Sequence, residues 1–259
     1  MVTKNILLSK KDAALLKEVI ITSGRIVTFD ELRKVFKKIY STQKISSRIS
    51  FLAKTGWLIR LKKGLYIIVT DIGALGTGDI SLYTAAQALN KNSYISFENA
   101  LQYHGMFDQM LSSIAAITYK RARKYQFKKA EVKFYHIKKA LYFGFTREKS
   151  DIGLVNIAEK EKALLDILYY RSDVFHAGLV WGKLSEYRQN IDFAKLKQYA
   201  LNFNLDIVRQ IGFFLDRLSI DTATLYKRIH GKNSYSRMSA TAKEFDAKWR
   251  LYYDSATFK

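Results

Sequence analysis

Between residues 41 and 69 the hydrophobic period of the chain changes from that of a helix to that of a strand, and a single glycine marks the change. Ile45, Ile49 and Leu52 recur at i, i+4 and i+7, which puts them on one helical face. Lys44, Ser47, Arg48 and Lys54 fall on the opposite face. Gly56 then stands where a helix needs a left-handed residue to close its C-terminus. Beyond it, residues 57–60 and 65–69 read as two short strands joined by Leu61-Lys62-Lys63-Gly64. A helix, a stop and a basic hairpin in that order predict a helix-turn-helix with a wing.

The preceding residues supply the rest of such a module. Ser9 caps a helix over 10–22, with Ala14, Leu15, Val19 and Ile20 inward and Gly24 at its end. Thr28-Phe29-Asp30-Glu31 is a capping box, in which hydroxyl and carboxylate each satisfy an otherwise orphaned backbone N–H. It starts a second helix to about residue 38, with Leu32, Val35 and Phe36 buried. The third helix begins at Ser41 or Thr42. In a helix-turn-helix the third helix lies in the major groove and its N-terminal residues meet base edges. The candidate DNA-binding residues are therefore Thr42, Gln43, Lys44, Ser46, Ser47 and Arg48, with Arg60, Lys62 and Lys63 at the wing. Gln pairs bidentately with adenine and Arg with guanine, while Ser and Thr suit phosphates.

The glycine-rich run 71–79 matches neither phosphate-loop spacing and reads as an interdomain linker. The expected fold class is α+β, with an N-terminal winged helix-turn-helix over 1–72 followed by a mixed α/β domain over 79–259. In that second part Asp79 caps a helix over 81–89, and Ser96 caps another over 97–104 that Gly105 ends. Strands are expected at 114–119, 132–137, 141–145 and 154–157. From Glu159 the period is helical, with Ala163, Leu164, Ile167 and Leu168 inward. Glu159, Glu161 and Asp166, interleaved with Lys160 and Lys162, read as its solvated face. Further helices are expected over 175–187, 192–203, 205–219 and 222–230, and a last strand over 249–253.

Charge narrows the partners. The formal net charge is +21, and two segments carry nearly all of it: +10 over residues 1–75 and +9 over 119–149. Localised excess of this kind is the footprint of polyanion contact. The second segment offers a basic patch of Lys120, Arg121, Arg123, Lys124, Lys128, Lys129, Lys138 and Lys139. Its aromatics, among them Tyr119, Tyr125, Phe127, Phe134 and Tyr142, suit either a stacking platform for single strands or the core side of each strand.

Other chemistry finds little support. Cysteine is absent, which excludes disulfides, thiolate metal sites and thiol nucleophiles. The four histidines are scattered, and no G-x-S-x-G elbow occurs. Glu131-Val132-Lys133 with Asp108 leaves one enzymatic alternative, a Mg²⁺-dependent nuclease. The main expectation is a non-enzyme without cofactor or metal. With no long apolar run and no leader-like N-terminus, it is expected to be cytoplasmic, without membrane contact.

The ordered set "ISSRISFLAKTGWLIRLKKGLYII", "YISFENALQYHGM", "NIAEKEKALLDILYY", "IGFFLDRL" and "DAKWRLYYD" resembles the AbiEi-type antitoxins of bacterial abortive-infection toxin–antitoxin pairs. The likeness runs from about residue 10 to residue 253, departing at two loops that lack the usual proline. It implies a repressor that binds inverted repeats in its own double-stranded promoter DNA. It also implies an antitoxin domain that counteracts a cognate nucleotidyltransferase toxin, with or without direct contact. The residues by themselves imply a DNA-binding module and a basic α/β domain, and leave a general nucleic-acid-binding protein as a further alternative.

Overall fold

The computed structural model describes residues 8–71, 80–127 and 129–258. Most of the glycine-rich run, Asp79 and Lys128 lie outside the described residues. The chain is α+β and divides into two compact units. The first comprises the residues up to Lys91 together with 125–131 and 149–155; the second comprises the remainder.

In the first unit, α1 (Lys10–Ser23) is capped by Ser9, whose hydroxyl accepts from the Asp12 N–H at 3.1 Å. Gly24, at φ +79°, ends it. β1 (Ile26–Thr28) leads directly into α2 (Phe29–Phe36), where both halves of the Thr28–Glu31 capping box are made. α3 (Thr42–Lys54) follows, Gly56 takes φ +88°, and β2 (Leu58–Lys62) and β3 (Leu65–Ile68) form the hairpin. The sheet has the order β1-β3-β2 and is antiparallel throughout. Leu15, Leu16, Val19, Leu32, Phe36, Ile45, Ile49, Leu52 and Trp57 make one core. On α1, Leu16 is buried and Ala14 is exposed, so the inward stripe sits one position from where the sequence put it. β1 was not expected; at three residues it has no period of its own and exists through its pairing with β3. α4 (Leu82–Leu89) also belongs to this unit, and Ser81 caps it, accepting from the Tyr83 N–H at 3.1 Å.

The second unit holds most of a six-stranded sheet, whose strand residues within 125–131 and 149–155 group with the first unit. The sheet's strands are β4 (Ser93–Ile95), β5 (Ser113–Thr118), β6 (Arg123–Phe127), β7 (Ala130–His136), β8 (Phe145–Ser150) and β9 (Gly153–Ala158). Their order is β6-β7-β5-β4-β9-β8, with β4 parallel to β9 and antiparallel to β5. The helices are α5 (Phe97–Tyr103), α6 (Lys160–Tyr170), α7 (Val174–Glu186), α8 (Phe193–Ala200), α9 (Leu205–Arg217) and α10 (Ala223–Ile229). A small sheet, β10 (Ser236–Arg237), β11 (Glu244–Asp246) and β12 (Leu251–Tyr253), is ordered β10-β12-β11.

Three expectations for this unit are corrected. Residues 141–145 are not a strand: a 3₁₀ turn over Lys139–Leu141 is followed by Gly144 at φ +71°, and β8 starts at Phe145. Glycine is required there, because a Cβ would meet the Tyr199 ring at 2.9 Å and Lys162 Cβ at 3.0 Å. Ser96 is the N-cap residue of α5 but makes no capping bond; its hydroxyl donates to Asp166 at 2.8 Å. Most consequentially, α6 has no solvated charged face on its inner turns. Glu161, Lys162 and Asp166 are all buried, the last two completely. Their polar groups are satisfied by one another and by neighbouring elements: Lys162 Nζ donates to Asp166 and to Tyr94 Oη, and Glu161 accepts from the Asp192 N–H at 2.9 Å.

Of the aromatic residues of 119–145, two are buried and the others are half-buried. Phe127 and Phe134 are buried, and Tyr142 meets Tyr94, Tyr119 and Phe145 tilted or edge-on, with ring centroids 4.8–5.4 Å apart. Among the described residues no helix is long and apolar enough to cross a membrane.

Candidate nucleic-acid interface

The outward surface of α3 follows from its burial. With Ile45, Ile49 and Leu52 in the core, the ridge pointing away from it is Gln43, Ser47, Ser50 and Lys54, spaced i, i+4, i+7 and i+11, and all four are exposed. Thr42, Lys44 and Ser46 are exposed beside it. No acidic side chain lies anywhere between residues 32 and 70, whereas ten Lys and Arg do. In the hairpin, Arg60 and Lys63 are exposed, and Gly64 at φ +75° turns the chain between strands. Lys62 is directed elsewhere: its ammonium donates to the Leu89 carbonyl at 2.9 Å and lies 5.8 Å from the centre of the Tyr125 ring.

Arg48 differs from the other candidates. Its guanidinium holds Asp12 of α1 with two hydrogen bonds, the one from Nε at 2.9 Å, and lies over the Phe51 ring at 4.4 Å. The Arg48 side chain is 27% exposed and that of Asp12 is fully buried. Tyr40 donates to the same carboxylate at 2.9 Å, and Ser9 donates as well. Burial alone would raise the Asp12 carboxyl, but the bonds from Arg48, Ser9 and Tyr40 outweigh it and hold the group below the ordinary carboxylate value. Arg48 thus ties the candidate reading helix to the first helix. Asp12 is the residue of this site that sequence reading missed, although Ser9-x-x-Asp12 at a helix start was a visible signal.

Arg48→Ala is expected to cost about 2 kcal/mol of stability, since Ser9 and Tyr40 still support the carboxylate. Because the folded Asp12 carboxyl is depressed, its contribution is complete above the unfolded value of about 3.9 and is lost as pH falls through the lower folded value. Urea denaturation at pH 7 and below pH 4 measures both. An Arg48→Ala midpoint equal to the parent's at pH 7 would show that the pair holds nothing together.

In the basic segment, Lys120, Arg121, Arg123, Lys124, Lys129, Lys138 and Lys139 are exposed. Lys120 lies over the Tyr119 ring, 5.0 Å from its centre. The nuclease alternative gains no assembled centre: among the described residues, no three His, Asp or Glu side chains are grouped to hold a metal ion. Lys133 sits over the Tyr135 ring at 4.4 Å. Three of the four histidines have polar partners: His104 Nε2 meets the Ala158 carbonyl at 2.8 Å, His136 Nδ1 the Lys120 carbonyl at 3.0 Å and His176 Nδ1 the Asp173 carboxylate at 2.7 Å.

No family model matches the chain, and no curated protein matches it. Among solved structures it is similar to the crystal structure of RV2827C protein from Mycobacterium tuberculosis, with a TM-score of 0.61 and 12% sequence identity. The alignment covers 96% of this chain and 92% of that one, so the likeness extends over both units and concerns the fold alone.

Proposed function

We propose that the protein is a promoter-binding transcriptional repressor and the antitoxin of an abortive-infection operon. Its first unit is a winged helix-turn-helix that reads DNA with α3, and its second unit counteracts a nucleotidyltransferase toxin without catalysis of its own. The observation that carries the DNA-binding half is the exposed Gln43–Lys54 ridge followed by a basic hairpin, within 39 residues that hold no acid. The element order α1-β1-α2-α3-β2-β3 with its small antiparallel sheet supports the winged-helix reading. The antitoxin half rests on the ordered motifs that resemble AbiEi-type proteins.

Lys44, Arg60 and Lys63 are the phosphate contacts in this reading, because they are exposed cations flanking the ridge. Lys44→Ala, Arg60→Ala and Lys63→Ala combined are expected to weaken binding to the DNA upstream of the gene and to flatten the slope of log K against log salt by about 2.7, roughly 0.9 per lost contact. Gel shifts over a salt series measure this, with a scrambled duplex beside the promoter. Equal affinity for the scrambled duplex would favour the general nucleic-acid binder, for which the exposed cations of residues 120–139 speak. Co-expression with a nucleotidyltransferase toxin of the abortive-infection type tests the antitoxin half; failure to restore growth would remove that half.

A further inference from the structure

The withdrawal of Arg48 bears on which bases the helix can read. Arginine is the side chain that most often specifies guanine, through bidentate bonds to O6 and N7. α3 contains one arginine, and its guanidinium is spent on buried Asp12 and the Phe51 ring. On the outward ridge the first three turns carry Gln43, Ser47 and Ser50. The Ser47 hydroxyl donates back to the Lys44 carbonyl at 3.1 Å, so its proton is already used. Gln43 is the one long side chain on that ridge before Lys54, and its amide offers a donor and an acceptor side by side. That pair matches N7 and N6 of adenine and mismatches guanine, which presents two acceptors. Lys44 stands beside the ridge rather than on it, suited to a phosphate.

We infer that Gln43 is the principal base-reading residue and that it specifies adenine, so each operator half-site has an A·T pair at its centre instead of the G·C pair an arginine would select. This rests on the DNA-binding reading above and adds the base preference to it. The test uses the full chain. A randomised duplex library is selected on the protein near 0.15 M salt, and the enriched half-site is then varied one pair at a time in gel shifts with the parent and with Gln43→Ala. The expected result is one adenine whose replacement by guanine costs the parent about tenfold or more, and costs Gln43→Ala about twofold or less. An adenine preference that survives Gln43→Ala would overturn the assignment, and so would an enriched guanine at the same pair. Because Gln43 is exposed, Gln43→Ala should melt with the parent. If no duplex is enriched at all, the DNA-binding reading itself falls. Enrichment with the wrong base removes the Gln43 assignment only.

Discussion

Asp166→Ala is expected to destabilise the second unit by about 3–5 kcal/mol, because it leaves the Lys162 ammonium charged and unpaired in the interior. Both side chains are completely buried. The ammonium donates to Tyr94 Oη at 2.8 Å and to Asp166, and the other Asp166 oxygen accepts from Ser96 at 2.8 Å and Tyr94 at 3.1 Å. The rings of Tyr94, Phe143 and Phe203 stand 5.1–5.4 Å from the nitrogen. Burial pushes the Asp166 carboxyl up and the Lys162 ammonium down, while each charge pulls the other back toward ionisation. Replacing both residues, as in Lys162→Met with Asp166→Leu, should cost less than either single change, since no uncompensated charge remains and only the Tyr94 and Ser96 hydroxyls lose an acceptor. Guanidinium titration of the two single variants and the double variant decides this. Additive losses would mean that the pair does not act as a unit.

Gly212→Ala should be nearly as damaging, by about 3 kcal/mol, for a steric reason. Trp249 is fully buried against α9, and a Cβ on Gly212 would fall 2.1 Å from its ring. The ring cannot slide away, because its Nε1–H donates to Asp216 at 2.6 Å and that carboxylate also accepts from Thr222 and Lys248. Trp249→Ala removes the ring and should cost about 3–5 kcal/mol through the cavity it leaves. In that background Gly212→Ala has room for its methyl and should be almost neutral. The coupling is the test: if Gly212→Ala costs the same with and without the tryptophan, the close approach does not limit this packing.

The parts legible in the sequence are those whose causes lie within a few residues. The capping box at Thr28–Glu31, the Ile45-Ile49-Leu52 stripe of α3 and the left-handed Gly56 were all readable, since each depends on local backbone bonds or helical spacing. The helices from α6 to α10 were readable for the same reason. Short strands were the weak point: β1 and β4 have three residues each, too few for a two-residue period to stand out, and their existence depends on a partner strand far along the chain.

Polar positions show the limit most sharply. Glu-Lys-Glu-Lys before "ALLD" has the local pattern of a solvated helix start, yet Lys162 and Asp166 are interior because Tyr94 and Ser96, about seventy residues earlier, supply the bonds that make burial tolerable. Arg48 has the spacing of a base reader, but Asp12, thirty-six residues away, binds its guanidinium. Sequence by itself determined where backbone hydrogen bonds close and which faces are apolar, since both are set by neighbours along the chain. Only the tertiary structure decided which charges face water, because the cost of burying a charge is offset only by partners that folding brings from elsewhere.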